Sequence, residues 1–152
     1  MKVSEIMTRK VYCLNPEMSV KEAAQFLLEK GVGGAPVVDK EGNLVGLVSE
    51  SDLIMEEVKL QFPTFFHLLD GFIFLSNWRD YQEKLRKALG LKVAEVMSSP
   101  VISVEAEASV EEAATLMVEK HISRLPVLEK GKMVGIVSKR DLIKAIADGG
   151  KP

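Results

Sequence analysis

Apolar residues in this chain recur at two spacings, and each predicts a different element. Val20, Ala23, Ala24, Leu27 and Leu28 follow the i, i+3, i+4, i+7, i+8 rhythm of a helix with one buried stripe, and Val110, Ala113, Ala114, Met117 and Val118 repeat it. Ser19 and Ser109 precede these stripes, where a side-chain oxygen can cap the first turn. A short apolar run lies upstream of each, Val11 to Leu14 and Val101 to Val104. Two β-rich runs follow the first stripe, Ala35 to Val38 and Leu44 to Val48, parted by the turn residues Asp39-Lys40-Glu41-Gly42-Asn43. Leu125 to Leu128 and Met133 to Val137 flank Glu129-Lys130-Gly131-Lys132 in the same way. A closing helix starts at Ser49 or Ser138 and carries Leu53-Ile54 or Leu142-Ile143. The predicted unit is β-α-β-β-α, and it occurs twice.

The two units are copies of one sequence. Val3-Ser4-Glu5-Ile6-Met7 recurs ninety residues later as Val93-Ala94-Glu95-Val96-Met97, and Ser19-Val20-Lys21-Glu22-Ala23-Ala24 as Ser109-Val110-Glu111-Glu112-Ala113-Ala114. After a one-residue gap near Glu41, Gly46-Leu47-Val48-Ser49-Glu50-Ser51-Asp52-Leu53-Ile54 returns as Gly135-Ile136-Val137-Ser138-Lys139-Arg140-Asp141-Leu142-Ile143. The expected organisation is repeat 1 over residues 1–57, an insert over 58–92 and repeat 2 over 93–148. A lone copy of this size buries little core, so the copies are expected to pack on each other.

Composition narrows the function. The chain has 152 residues, 47% of them hydrophobic, and 20 Lys+Arg against 22 Asp+Glu for a net charge of −2. Such a balance provides no broad positive field for a duplex, so no nucleic-acid partner is expected. A single cysteine, Cys13, cannot form an intramolecular disulfide, and the N-terminal residues lack the apolar run of a signal peptide. No apolar stretch approaches the roughly 20 residues that span a bilayer. A cytoplasmic protein without a membrane partner is expected.

The repeated order Met-Thr/Ser, Ser-Val-x-Glu-Ala-Ala, Pro-Val-Val/Leu and Val-Gly-Leu/Ile-Val-Ser-x-x-Asp-Leu resembles the cystathionine-β-synthase (CBS) domain, here as a tandem pair or Bateman module with nothing else attached. The resemblance implies an α/β fold of two β-α-β-β-α CBS repeats packed pseudo-symmetrically sheet to sheet, with a partly helical, aromatic-rich insert between them. It also implies a regulatory rather than enzymatic role. CBS pairs bind adenosine-containing ligands, AMP, ADP, ATP or S-adenosylmethionine, in the cleft between repeats and signal occupancy to a partner protein. They often assemble as homodimers. The alternative is a CBS scaffold that binds no ligand and mediates dimerisation or protein association.

On that resemblance the ligand residues fall in three groups. Ser49 and Ser138, with Ser51 and Arg140, lie at helix starts, whose unpaired N–H groups suit a phosphate. Asp52 and Asp141 can accept hydrogen bonds from two adjacent ribose hydroxyls. Val32, Gly34, Ala35 and Pro36 in one copy, and Ile122, Arg124 and Pro126 in the other, would wall the adenine. Ser-x-x-Asp also reads as a capping box that satisfies the helix end without a ligand, and the two roles are compatible. Repeat 2 has Arg124, Lys139 and Arg140 where repeat 1 has Gly34, Glu50 and Ser51. The Asp141 site is therefore expected to bind a phosphorylated ligand better than the Asp52 site. The resemblance narrows that asymmetry, since it implies that each cleft takes its adenine wall from the other repeat, with Val32, Gly34 and Ala35 serving Asp141 and Ile122 and Arg124 facing Asp52.

Other signals are weaker. Gly31-Val32-Gly33-Gly34 follows a helix and precedes a strand, the reverse of a dinucleotide-binding fingerprint. His67 and His121 have no paired ligand spacing, so no metal is expected, and Cys13 reads as a small buried hydrophobe. The insert holds Phe62, Phe65, Phe66, Phe72, Phe74, Trp78 and Tyr81. It is too apolar for a free linker. Packing on the same chain, a dimer or partner interface, and a cap over the cleft are the three readings of it.

Overall fold

The computed structural model describes residues 1–61 and 91–149; the aromatic run from Phe62 to Tyr81 lies outside them. In chain order the described elements are α1 (Val3–Ile6), α2 (Val20–Lys30), β1 (Gly34–Val38), β2 (Leu44–Ser49), α3 (Glu50–Gln61), α4 (Val93–Val96), β3 (Val104–Glu105), α5 (Val110–Glu119), β4 (Arg124–Glu129), β5 (Lys132–Ser138) and α6 (Lys139–Ala147). The closing helix of repeat 1 therefore runs to Gln61, into the segment assigned to the insert. None of the described helices is long and apolar enough to cross a membrane.

The chain forms two compact units that do not coincide with its two sequence copies. One comprises Met1–Val11 with Pro100–Pro152, the other Tyr12–Ser99. The first segment of each copy thus packs with the body of the other copy. In the first unit the N–H groups of Val3 and Ser4 donate to the carbonyls of Ala108 (2.9 Å) and Ala106 (3.0 Å). Val93 and Ala94 do the same to Met18 (2.8 Å) and Pro16 (3.0 Å) in the second. Lys2 pairs with Glu107 and Lys92 with Glu17, and the bond from Lys92 holds the Glu17 carboxyl below its ordinary range. These pairs are exposed and add little stability, so the apolar residues supply the anchor.

Each unit has its own core. Val3 and Met7 join Ala113, Met117, Leu125, Val127 and Val137 in one; Val93 joins Leu14, Ala23, Leu27, Ala35, Val37 and Val48 in the other. Helix α2 buries Ala23 and Leu27 and leaves Leu28 outside, so the apolar stripe read from the sequence is wider than the buried one. Both amphipathic helices open with the expected serine: Ser19 Oγ accepts from the Glu22 N–H, and Ser109 Oγ from Glu112, each at 3.1 Å.

The sheets follow the repeat with one difference. β1 pairs antiparallel with β2, and β4 with β5. The run ending at Val104 becomes a two-residue strand parallel to β4, whereas its counterpart touches β1 only through a Leu14–Val37 bridge. The gap near Glu41 falls in a hairpin turn. Repeat 2 closes through Lys130 and Gly131 alone, both at positive φ. The longer turn of repeat 1 is organised by Asp39, whose Oδ1 accepts from the N–H groups of Asn43 (2.8 Å) and Glu41 (3.0 Å). Those bonds, led by the one from the Asn43 backbone, lower the Asp39 pKa.

Helix α2 ends at Gly31 with φ 64°, and the equivalent residue after α5 is His121 with φ 53°. A side chain in this left-handed region is strained where glycine is not. His121→Gly is therefore expected to raise stability by about 0.5–1 kcal/mol, read as a higher denaturant midpoint at unchanged slope. An equal or lower midpoint would show that the histidine side chain stabilises this turn.

Candidate functional site

The residues singled out from the sequence gather at one kind of place, the junction where the second hairpin strand passes into the closing helix. In one unit β2 ends at Ser49 and α3 starts at Glu50; in the other β5 ends at Ser138 and α6 starts at Lys139. The ladders set Gly34 opposite Ser49 and Arg124 opposite Ser138, so the starts of β1 and β4 lie beside the serines. Val32 and Ile122, just upstream, are half-buried. Gly34, Ala35, Pro36 and Pro126 are buried along their strands. Arg124 is half-buried, and Ser51 and Arg140 are exposed on the first helical turns.

The two junctions share one hydrogen-bond pattern. The Ser49 N–H donates to Asp52 Oδ2 at 2.8 Å and its hydroxyl donates to the same oxygen at 3.1 Å. Ser138 repeats this with Asp141 Oδ2 at 2.8 and 2.7 Å, and the Asp141 N–H reaches back to Ser138 Oγ at 3.4 Å. The capping box read from Ser-x-x-Asp is therefore complete at Ser138, and at Ser49 it consists of the bonds to the Asp52 carboxylate. It occupies Oδ2 only, and Oδ1 of each aspartate keeps two lone pairs for an outside donor. A cap and a diol acceptor are thus compatible on one carboxylate because they use different oxygens. The serine hydroxyls, expected as phosphate donors, direct their protons to the aspartates, and Ser138 Oγ also accepts from the Asp141 N–H.

The first helical N–H is also engaged: Glu50 donates to the Gly33 carbonyl at 3.0 Å, and Lys139 to the Ser123 carbonyl at 2.9 Å. The next N–H groups, those of Ser51 and Arg140, have no carbonyl four residues back inside the helix and carry the positive end of its dipole. Each junction therefore combines an anion-accepting N–H with a hydroxyl-accepting carboxylate one residue apart. Their surroundings differ in charge. Lys139 and Arg140 are exposed beside Asp141, whereas Glu50 and Ser51 are exposed beside Asp52.

Two residue pairs that support these junctions had no reading from the sequence. Gly46 and Gly135, three residues before the serines, lie beneath the side chains of Met97 and Met7. The residue after each methionine bridges to the strand: Thr8 and Ile136 exchange N–H to O bonds of 2.8 and 2.9 Å, and Ser98 and Leu47 bonds of 2.9 and 3.2 Å. The signal was present, since the methionine and the glycine recur at matching places in both copies, but spacing alone does not tell that they touch. Burial pushes the Cys13 thiol pKa up, opposite to what a nucleophile requires. Among the described residues no cluster of three or more His, Cys, Asp or Glu could hold a metal ion.

Comparison with known proteins bears on the whole chain. It is 32% identical to protein MJ1426 of Methanocaldococcus jannaschii over 96% of this chain and 91% of that one. It is 33% identical to CBSX1, a chloroplastic CBS domain-containing protein of Arabidopsis thaliana, over 94% of this chain but only 63% of that protein's length. A crystal structure of CBSX2 in complex with AMP superposes with a TM-score of 0.75 at 27% identity, covering 99% of this chain and 98% of the other. The family profile of the CBS domain matches residues 3–59 and again 93–148. The chain belongs to the CBS domain family and carries the domain twice.

Proposed function

We propose that this chain is a regulatory module that binds an adenosine-containing nucleotide at its strand-to-helix junctions and passes occupancy to a partner protein. The observation that carries the reading is the Ser-x-x-Asp junction, formed twice with Oδ1 left for a ribose hydroxyl and the next helical N–H left for a phosphate. The AMP complex of the similar CBSX2 supports adenosine as the ligand class. Asp141, flanked by Lys139 and Arg140, serves phosphorylated ligands better than Asp52, flanked by Glu50. The backbone and half-buried side chains at Val32, Gly34, Ile122 and Arg124 contribute the adenine contacts, with Ala35, Pro36 and Pro126 fixing the strands behind them. Signalling requires two conformations of different ligand affinity.

A thermal-shift panel with AMP, ADP, ATP, S-adenosylmethionine and NAD, on protein stripped of co-purified nucleotide, tests this. A ligand of dissociation constant about 10 μM present at about 1 mM adds about 2.7 kcal/mol, which raises the midpoint by about 5–10 °C. A rise with one or more adenosine phosphates is expected. No rise with any of the five would leave the scaffold as the function.

A further inference from the structure

Met97 and Met7 are equivalent in the repeat, and each lies against a glycine of the strand beneath it, Gly46 or Gly135. Their surroundings differ. Met7 belongs to the buried core of its unit and is 9% exposed, whereas Met97 is half-buried and packs on the margin of its core. Met97 is thus a thioether that solvent reaches and that nevertheless holds structure. Met1 and Met55 are more exposed but belong to neither core, and Met117 is fully buried.

Two features tie the segment around Met97 to the state of its sulfur. The thioether occupies the place that a Cβ at position 46 would take, so the strand backbone closes one side of it. The next residue, Ser98, exchanges N–H to O bonds of 2.9 and 3.2 Å with Leu47, the residue after the glycine. Buried Val93 anchors the start of the segment, and Met97 anchors its end beside that bridge.

We propose that Met97 is a site of oxidation by hydroperoxides, and that its sulfoxide releases the bridge between Ser98 and Leu47. The sulfur attacks the terminal peroxide oxygen, an S–O bond forms and the O–O bond breaks. The proton of the transferred oxygen goes to the departing oxygen, which leaves as an alcohol, or as water when the oxidant is hydrogen peroxide. The sulfur loses two electrons and the peroxide gains them. The product is polar where the thioether was apolar, and it sets a strong acceptor beside the N–H groups of Leu47 and Ser98. Holding that oxygen against the glycine without a donor is unfavourable, so the side chain turns to water and the bridge loses its seat. The equivalent bridge between Thr8 and Ile136 is kept, because Met7 is shielded. Enzymatic reduction of the sulfoxide restores the contact, which makes the change reversible. Release of the segment requires no nucleotide; only its effect on the nearby Ser49 and Asp52 rests on the function proposed above.

Amide hydrogen exchange on the full chain, before and after hydrogen peroxide, tests this, with the oxidised residues mapped by mass spectrometry. Met97 is expected to oxidise after Met1 and Met55 but well before Met7 and Met117. Protection of the Leu47 and Ser98 amides should then fall about tenfold or more, while that of Thr8 and Ile136 holds. Met97→Leu keeps the volume and apolar character of the side chain and should retain protection under the same treatment. In the oxidised natural sequence, a methionine sulfoxide reductase should restore protection as it restores the Met97 thioether, a readout that needs no variant. Oxidation of Met97 no faster than that of Met117, protection unchanged once Met97 is oxidised, equal loss in Met97→Leu, or protection still absent after Met97 is reduced would each overturn the proposal.

Discussion

Asp141→Ala is expected to lower affinity for an adenosine phosphate tenfold to a hundredfold and to remove most of its thermal shift. The substitution deletes the acceptor for the ribose hydroxyls, and a hydrogen bond to a charged group contributes about 1.5–3 kcal/mol. It also deletes Oδ2, to which the N–H and hydroxyl of Ser138 donate, so the variant should be less stable without ligand by about 1 kcal/mol. The two effects separate by measuring affinity calorimetrically, well below the melting transition, rather than by the midpoint alone. Asp141→Asn is the informative companion. Its amide oxygen can still close the cap, but the Oδ1 position is then taken by an amide NH2, which donates and offers the diol no acceptor. The asparagine variant is therefore expected to keep near-native stability while still binding weakly. Asp52→Ala should remove less affinity, because Glu50 rather than Lys139 and Arg140 flanks that junction. Unchanged nucleotide affinity in Asp141→Ala would overturn the assignment of the site.

The same junction shows what the sequence could and could not reveal. Period and capping made the helices legible: Ser19, Ser109 and Ser138 accept from their third helical residues, as the spacing of Ser and Glu or Asp predicts. The one-residue gap near Glu41 identified a hairpin whose copies differ in length, as Asp39 and Lys130-Gly131 then showed. The unit to which Val3 and Val93 belong was not legible. A repeat alignment places Val3 on Val93 whichever body each packs against, because the shift between copies is the same for a local segment and an exchanged one. Only contacts such as Val3 to Ala108 and Val93 to Met18 distinguish these cases. Nor could the sequence divide the labour of the aspartates. Ser-x-x-Asp reads equally as a cap and as a ligand site until the bonds are seen to converge on one carboxylate oxygen.

The exchanged segments are locked by a contact that permits almost no side chain, and Gly46→Ala should break that lock. A methyl group at Gly46 would fall within the Met97 thioether and 3.0 Å from the Met97 Cβ; at Gly135 it would fall 2.5 Å from Met7 Sδ and 3.0 Å from the Thr8 carbonyl oxygen. A thioether alone could swing aside, but Cβ and carbonyl atoms move only with the backbone. Overpacking of this kind costs about 1–3 kcal/mol, and both sites belong at the upper end of that range because a strand bridge lies next to each. A loss near 3 kcal/mol lowers the midpoint of a chain this long by about 6–12 °C. The bridge bonds of Leu47 to Ser98 and of Ile136 to Thr8 sit one residue beyond each glycine, and the capping serines two residues further on. Displacing the segment therefore disturbs the junction as well as the core, and Gly135→Ala should also weaken nucleotide binding at Asp141. Met97→Ala alone leaves a void and destabilises the chain, but in combination with Gly46→Ala it removes the clash with the thioether and leaves only the 3.0 Å approach to the Cβ at position 97. The double variant is expected to be more stable than the two single losses predict by about 1–3 kcal/mol, a coupling that residues without contact do not show. Strict additivity in that cycle would mean that the methionine does not hold the segment against the strand.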